Sequence, residues 1–530
     1  MPSLLRFVRF FSALSIMSLL VVFGLGTGEV TTAGAATTKT LAIGISDNEI
    51  NPDPAVYYNL QGVMVTDSLY EGLLQNTPGA TTYQPLLATK WTVSPDGLTY
   101  TFTLRSGVTY SDGTPVTSTN VEAAFDRFLK VGAAPSYMLA EVSGYQTPTP
   151  DTLIITLSHP VNNFLDRLAS PWGPKAVSPE VVADHSVNGD LGQAWMETHA
   201  DGTGPYTLTS INPTQEIDMA VNPTYWGTKP YYSKVKLEII PNPTAQRLAL
   251  ENKTVNAIEV DDPSELNQLG AESGIKVVAM KSSFNMDFLT EDMNQGIFTN
   301  RALAAALAKT INRQELVTDV YGKYATLAGQ TAPPGMMPKN QGRYTVPFKP
   351  SALAAAVKKA HLTAAQKVVT MSYITESVPN QEIIERLAVT MKAAGLTPKI
   401  IPITDTEYFN WLSNPKQASD IFSSTQSDDG AHPDNWYRLF FYQTGALNYY
   451  GAGNAQTDAL MDQGNSQLTL AAADKYYNQL SNILAPTGEL IPLANVPVVY
   501  AAQTSLKGLE IENASPQGLV ITALHGGKGN

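Results

Sequence analysis

The chain has 530 residues, of which 43% are hydrophobic and 15% are charged, a composition typical of a folded globular protein rather than a disordered one. This length exceeds what one hydrophobic core serves, so two or three domains are expected. The net charge of −13 argues against nucleic acid or an anionic membrane as the main partner, and the absence of cysteine excludes disulfides, thiolate catalysis and cysteine-ligated zinc.

The N-terminal segment 1–35 has the order of a secretory signal peptide. Two arginines precede a short uncharged apolar stretch, and small residues follow at a cleavage point formed by Ala33 and Ala35, or by Gly34 and Ala36. A membrane anchor is the alternative, but the apolar centre is shorter than the roughly 20 residues that a spanning helix needs. We therefore predict cleavage and a periplasmic or extracellular location, without the cysteine that a lipoprotein requires.

Strands and turns are predicted to dominate the next part of the chain. Thr and apolar residues alternate over residues 98–104, the pattern of a half-buried strand. A capping box from Thr119 to Glu122 is expected to begin the helix that follows. Further strands are predicted in KTLAIGI (39–45), DTLIITLS (151–158), GTGPYTLTSI (202–211), KVKLEIIPN (234–242) and TVNAIEV (254–260).

The chain becomes more helical from about residue 295. Asn300 is predicted to cap a helix over 301–310, Asn312 to cap the next one, and the Ala-rich segment 351–367 to be helical.

Residues 367–425 read as strand, helix, strand, helix, strand, which implies right-handed crossovers and a parallel sheet. The second helix has a capping box formed by Thr404 and Glu407, and Gly395 is expected to end the first. Ligands of open parallel sheets gather beyond the carboxyl ends of the strands. The loop QSDDGAHPDNW (426–436), which leaves the third strand, is therefore predicted to lie at a binding crevice.

No catalytic signature is present in the sequence. There is no Gly-x-Ser-x-Gly elbow, no His-Glu-x-x-His and no phosphate-binding Gly-x-x-x-x-Gly-Lys-Ser/Thr loop. The six histidines form no pair at metal-ligand spacing, and the pairs Asp261–Asp262 and Asp428–Asp429 carry little information alone. We expect a protein that is not an enzyme and has no cofactor or metal, and a ligand carrier with a cleft between lobes fits these properties.

Several long segments resemble the extracellular solute-binding protein family 5, which includes the dipeptide-, oligopeptide- and nickel-binding proteins of ABC importers. The resemblance implies an α/β, class II periplasmic-binding-protein-like fold of two lobes joined by a hinge, with an additional inserted domain. It runs in order over nearly the whole mature chain. Its segments are LYEGLL (69–74), 85–128, GTGPYTL (202–208), 222–242, 298–321 and 491–510.

The resemblance also implies domain boundaries. Lobe I is expected to be discontinuous, formed by residues 37–60, 196–290 and 495–530. The inserted domain is expected over 61–195, and lobe II over 291–494.

Peptide-binding members of this family have a loop resembling Trp-x-Ala-Asp-Tyr-Pro-Asp-Pro-x-Asn-Phe, whose first Asp pairs with the ligand's α-ammonium. Aligned without gaps to 426–436, this loop places Asp429 at the amine-binding position, with Pro433 and Asn435 on the family's Pro and Asn. A desolvated carboxylate facing an ammonium makes a charge-assisted bond that orients a peptide.

This loop departs from the family pattern at several positions, and its loss of aromatic residues puts ordinary peptide specificity in doubt. Other aromatic and polar residues are candidate cleft contacts: Trp436, Tyr57, Tyr58 and Asn59. The departures include Gln426 for Trp, Gly430 and Ala431 for Tyr-Pro, and His432 for Asp.

The function implied is that of a substrate-binding protein of an ABC importer, which captures a peptide or similar small solute outside the membrane and delivers it to the permease subunits. The protein is expected to be a monomer that does not bind nucleic acid. One alternative is a carrier of another cargo, such as an oligosaccharide or a nickel chelate. The other is a secreted hydrolase that uses scattered carboxylates.

Overall fold

A computed structural model of the chain contains both strands and helices, and it describes residues 39–46, 50–76, 82–260, 262–280, 284–375, 377–509 and 519–527. The predicted signal peptide and its cleavage site lie outside the described residues. The strands are β1 (Thr40–Ile45), β2 (Leu74–Asn76), β3 (Tyr83–Pro85), β4 (Ala88–Val93), β5 (Thr99–Leu104), β6 (Val142–Thr149), β7 (Thr152–Leu157), β8 (Tyr206–Asn212), β9 (Glu216–Val221), β10 (Lys234–Ile239), β11 (Ala257–Glu259), β12 (Ile275–Ala279), β13 (Met286–Glu291), β14 (Thr326–Leu327), β15 (Val368–Ile374), β16 (Thr397–Ile403), β17 (Ile421–Gln426), β18 (Leu490–Asn495), β19 (Val499–Gln503), β20 (Leu506–Lys507) and β21 (His525–Gly526). The helices are α1 (Leu60–Leu69), α2 (Ser118–Val131), α3 (Phe164–Ala169), α4 (Pro179–His185), α5 (Gln193–Met196), α6 (Pro243–Glu251), α7 (Pro263–Leu269), α8 (Arg301–Thr310), α9 (Arg313–Tyr321), α10 (Ala352–Ala360), α11 (Val378–Ala393), α12 (Asp405–Ser413), α13 (Pro433–Phe441), α14 (Ala455–Asn465) and α15 (Leu470–Leu484).

The first large sheet has seven strands in the order β12-β19-β11-β1-β10-β9-β8. Strand β1 lies in its interior, parallel to β10 on one side and to β11 on the other. Its residues Leu41 and Ile43 are fully buried, which explains why this short apolar run forms a core strand. The strands predicted at 39–45, 202–211, 234–242 and 254–260 are all confirmed in this sheet.

The second large sheet has six strands in the order β14-β18-β13-β17-β15-β16. Strand β15 is parallel to both β16 and β17, so the predicted parallel arrangement is confirmed. Strands β13 and β18 add antiparallel pairs, which makes the sheet mixed. Helix α11 packs on it through Ile383, Leu387 and Met391, which are buried at helical spacing.

A smaller sheet contains the alternating segment, in the order β4-β5-β7-β6. Tyr100, Phe102 and Leu104 of β5 point into a core that helix α2 completes, as predicted. The predicted capping box at Thr119 is wrong, because Thr119 already lies inside α2. Thr117 has the extended backbone of an N-cap, and its side chain accepts a hydrogen bond from the Asn120 N–H at 3.2 Å.

Most other predicted helix ends agree with the structure. Asn300 and Asn312 cap α8 and α9, and Thr404 forms the capping box of α12. Gly395, with φ of 85°, follows the end of α11 as expected for a left-handed residue. Helix α10 is shorter than predicted, because His361 takes the left-handed conformation and ends it.

The three sheets alone do not define domains, so the predicted boundaries of lobe I, lobe II and the inserted domain stay a prediction. The described residues contain no helix that is both long and apolar enough to cross a bilayer.

Candidate ligand-binding site

The loop between β17 and α13 lies where the sequence places the binding crevice, at the carboxyl end of a strand that is parallel to β15. Asp428 and Asp429 in this loop are 1% and 6% exposed, respectively. A carboxylate is costly to bury without partners, so the hydrogen bonds of these two acids show how the loop accommodates them.

Asp429 joins segments that are far apart in the sequence. Its Oδ2 accepts hydrogen bonds from the hydroxyl groups of Tyr58 and Tyr137, which are 371 and 292 residues away. Its backbone carbonyl accepts a third, of 2.6 Å, from the Ser170 hydroxyl. Tyr58 precedes α1, Tyr137 lies in a 3-10 turn at Ala134–Leu139, and Asp429 follows β17. The Asp429 carboxylate is therefore a junction of three regions of the fold.

The two adjacent acids have different environments. Burial raises the pKa of Asp429, while the hydroxyls of Tyr137 and Tyr58 act to lower it. Burial, with Asp429 and Asp166 nearby, holds the pKa of Asp428 well above its ordinary value. Asp428 Oδ1 accepts the Gly430 N–H at 3.3 Å, and Oδ2 has no partner among the described residues. Burial and the Asp429 charge also raise the pKa of both tyrosines, which keeps them as O–H donors.

Helix α3 holds the loop from the other side through Asp166. Its carboxylate accepts 3.0 Å hydrogen bonds from the Ala431 N–H and from the side-chain amide of Asn435. Asn163 donates to the same Asn435 side chain at 2.7 Å. Burial raises the pKa of Asp166 to about 6.

Gly430 is required by this close approach of α3. A Cβ at Gly430 would lie 2.1 Å from Asp166 Oδ2, well inside van der Waals contact. A side chain at position 430 would therefore meet the carboxyl group of Asp166, so Gly430 allows this part of the loop to lie against α3.

His432 caps α13, at the position where the family pattern has an aspartate. Its Nδ1 accepts a hydrogen bond from the Asp434 N–H at 3.1 Å. Burial lowers the pKa of His432 to about 4, so the imidazole is neutral at pH 7. A neutral cap leaves the carboxylate of Asp434 to pair with Arg438, whose Nε donates to it at 2.9 Å.

The structure brings two of the five predicted site residues, Asp429 and Tyr58, into contact. Trp436 is fully buried, and its indole N–H donates to the Thr331 carbonyl at 2.9 Å. The Tyr57 ring packs so closely over Gly62 that a Cβ there would lie 2.7 Å from it.

Asn59 caps α1 by accepting the Gly62 N–H at 2.6 Å, while its carbonyl accepts the indole N–H of Trp172. Ligand contacts by Trp436, Tyr57 and Asn59 stay a prediction.

Sequence reasoning missed Tyr137, Asp166 and Ser170. None of them lies in a motif, and each acts through a contact with a loop more than 250 residues later in the chain. Their segments show only the apolar spacing of packed elements, so no local signal marks them.

A cavity of about 500 Å³ opens between helices α7, α9 and α11. Helices α7 and α11 follow strands β11 and β15, so this cavity also lies beyond carboxyl ends of strands.

The described residues contain no group of three or more His, Cys, Asp or Glu arranged to hold a metal ion. Asp261, half of one predicted carboxylate pair, lies outside the described residues. The cavity between α7, α9 and α11 is lined in part by Asp262, Asp319, Tyr321, Lys323, Tyr324 and Glu382.

Comparison with known proteins identifies the family. The family model for bacterial extracellular solute-binding proteins, family 5, middle region, matches residues 82–448. This chain belongs to that family. It is 28% identical over 284 residues to an Escherichia coli protein named "Probable D,D-dipeptide-binding periplasmic protein DdpA", and 28% identical over 334 residues to the glutathione-binding protein GsiB of Salmonella typhi. The matches cover 53% and 62% of this family 5 protein, and 54% and 62% of those relatives, so it spans less than two thirds of their length.

Solved structures confirm the fold class. The Helicobacter pylori periplasmic binding protein DppA, in complex with the peptide STSA, has a TM-score of 0.79 at 20% identity, covering 92% of this chain and 98% of that one. NikA of Brucella suis, in complex with Fe(III)-EDTA, has a TM-score of 0.80 at 18% identity, covering 92% and 100%. The α/β, class II periplasmic-binding-protein-like fold predicted from the sequence is therefore correct.

Proposed function

We propose that this family 5 protein is the substrate-binding protein of an ABC importer, which captures a peptide or a similar small amine outside the membrane and delivers it to the permease subunits. The observation that carries the proposal is the buried carboxylate of Asp429. The sequence alignment predicts that Asp429 takes the amine-binding position of the family loop, and the residue follows the carboxyl end of β17.

The chemistry of this carboxylate suits an ammonium ligand. Its hydrogen bonds come from neutral hydroxyls, so the negative charge is solvated but not neutralised. A cation bonded to a carboxylate in a desolvated site makes a short, charge-assisted hydrogen bond. A peptide α-ammonium supplies both the charge and the N–H donors that such a site lacks.

Contacts to Asp429 from three regions of the fold support binding by closure. A ligand shifts an equilibrium between open and closed forms only by its differential affinity for them, so the anchoring group must be completed in the closed form. Here the residues around the carboxylate meet only when the loop after β17 is docked on Tyr58, Tyr137 and α3.

We further infer that the ligand is released unchanged and that the protein works as an exported monomer. The relatives named above are described as binding proteins, which supports a carrier rather than a secreted hydrolase.

Native mass spectrometry tests the proposal. The purified chain lacking residues 1–35 is mixed with a library of di- to pentapeptides, nickel-histidine and a set of oligosaccharides, and bound masses are read directly. The proposal expects one intact peptide or amine per monomer. Selective binding of a sugar or of the nickel chelate, or recovery of cleaved peptides, would contradict it.

A further inference from the structure

Asp428 and Asp429 are adjacent buried acids with different sets of hydrogen-bond donors. Asp429 Oδ2 accepts two O–H groups, whereas the carboxylate of Asp428 accepts backbone N–H groups, that of Gly430 at 3.3 Å. A donor to a carboxylate oxygen stabilises the ionised form, and two acids side by side disfavour ionising together. The two tyrosine hydroxyls therefore favour ionisation of Asp429 over ionisation of Asp428.

We propose that Tyr58 and Tyr137 are positioning residues for Asp429, whose hydroxyls keep Asp429 as the anion of the pair while Asp428 stays the neutral acid. The two hydrogen bonds end on the same oxygen, Oδ2, so they also fix the orientation of the carboxyl group and leave Oδ1 for a ligand ammonium. This last role rests on the proposed function, whereas the division of charge does not.

Both tyrosines reach Asp429 from parts of the chain that are distant in sequence. Tyr58 and Tyr137 come from different regions of the fold, and neither hydrogen bond arises from local chain geometry. Because a phenol is uncharged at neutral pH, its O–H stabilises a neighbouring anion without neutralising the negative charge. An ammonium at Asp429 then finds a preformed, oriented acceptor.

One other charged group near the pair acts in the same direction as the tyrosine hydroxyls. Asp166 of α3 disfavours ionisation of Asp428, so it adds to the difference that the hydroxyls create. Arg167 is paired with Glu141 and lies 5.7 Å from the centre of the Tyr137 ring. His432 is neutral at pH 7. Of the adjacent acids Asp428 and Asp429, one is therefore ionised, which fits a ligand with a single cationic group at Asp429.

Carbon NMR of protein isotope-labelled at the aspartate side-chain carboxyl carbon tests the proposal without any ligand. Resonances are assigned by their loss in Asp429→Asn and Asp428→Asn. In the wild type, Asp429 is expected to titrate at lower pH than Asp428. In the Tyr58→Phe, Tyr137→Phe double variant, the Asp429 midpoint is expected to rise by about one pH unit or more.

Ser170→Ala is the matched control, because Ser170 donates to the Asp429 backbone and not to its carboxyl group. It is expected to leave the midpoint in place. Each single Tyr→Phe variant gives the same readout if the double variant does not fold, with a smaller shift expected. An Asp429 midpoint that is unchanged in folded Tyr→Phe variants, or wild-type Asp428 titrating first, would overturn the proposal. Failure of peptide binding alone would contradict the proposed function but not this division of charge.

Discussion

The carboxylate of Asp166 accepts a 3.0 Å hydrogen bond from the side-chain amide of Asn435, which ties helix α3 to helix α13 across 269 residues of sequence. The same carboxylate accepts the Ala431 N–H. Since all three groups are buried, Asp166 is a buried polar contact that holds the site loop against α3.

Replacement of Asp166 by alanine is expected to destabilise the folded chain by about 1–3 kcal/mol for each buried donor left without an acceptor. Asp166→Asn keeps one acceptor oxygen, so it should lose less. Urea unfolding at pH 7 measures both variants. Equal stability of Asp166→Ala and the wild type would show that the loop does not depend on this contact.

Gly430→Ala is expected to displace the site loop, because its Cβ would lie 2.1 Å from Asp166 Oδ2. We expect a lower melting temperature and weaker binding of any peptide that the wild type retains. Gly144→Ala is the control, since a Cβ there meets no atom within 4 Å. Calorimetric scans that show both alanine variants melting alike would mean that the loop relaxes without cost.

The ion pair between Asp53 and Arg127 holds the segment that leads to Tyr58. Both side chains are buried, and Asp53 also accepts the Ala55 N–H at 2.9 Å. Asp53→Ala leaves an unpaired buried guanidinium, so a loss of about 3–5 kcal/mol in the free energy of unfolding is expected.

The exposed pair of Asp126 and Lys130, with side chains 45% and 63% exposed, provides the comparison for Asp53. Asp126→Ala should cost about 0–1 kcal/mol. Urea unfolding measures the free energy of unfolding of both variants. A similar loss in the two would show that the buried Asp53 pair stabilises the fold no more than the exposed pair does.

The stability of the fold is expected to fall as pH rises from about 4 to about 7. Burial raises the pKa of Asp287 and Glu71 to about 7 and that of Asp166 to about 6. The folded chain therefore holds protons that the unfolded chain releases near pH 4, and stability decreases wherever the folded state binds more protons. His432, with a pKa of about 4, acts oppositely but is a single group.

Thermal melts at pH 5 and pH 7.5 check this pH dependence, with the higher melting temperature expected at pH 5. Asp287→Asn keeps an acceptor for the Tyr321 hydroxyl and should flatten the slope. Asp96→Asn should not, because the Ser94 hydrogen bond lowers the pKa of Asp96 and moves its contribution below this range. A melting temperature that rises from pH 5 to pH 7.5 would contradict the expected protonation of the buried acids.

Local sequence patterns predicted most of the helices and strands, because these elements depend on interactions between residues that are close in sequence. The alternation at Tyr100, Phe102 and Leu104 and the capping box at Thr404 depend on neighbours within a few residues. The error at Thr119 arose because two threonines compete for the same cap, and the backbone at Thr117 decides between them.

The site was predicted only where the family loop marks it. Asp429 was selected by its place in that loop, whereas the partners that set its properties come from other parts of the chain. Trp436 was predicted as a cleft contact because it is an aromatic at the end of the loop, and its contact with a ligand stays a prediction. Helix α13 turns it towards Phe288, where it packs edge-on with ring centres 5.5 Å apart.

The most direct test of an amine anchor at Asp429 is titration calorimetry with the peptide selected by native mass spectrometry, alongside its N-acetylated form. If Asp429 anchors the amine, Asp429→Ala weakens binding of the free-amine peptide by about 2–5 kcal/mol. The acetylated peptide should bind the wild type weakly, and the substitution should not change its affinity. An unchanged affinity of Asp429→Ala for the free-amine peptide would show that Asp429 does not bind the ammonium.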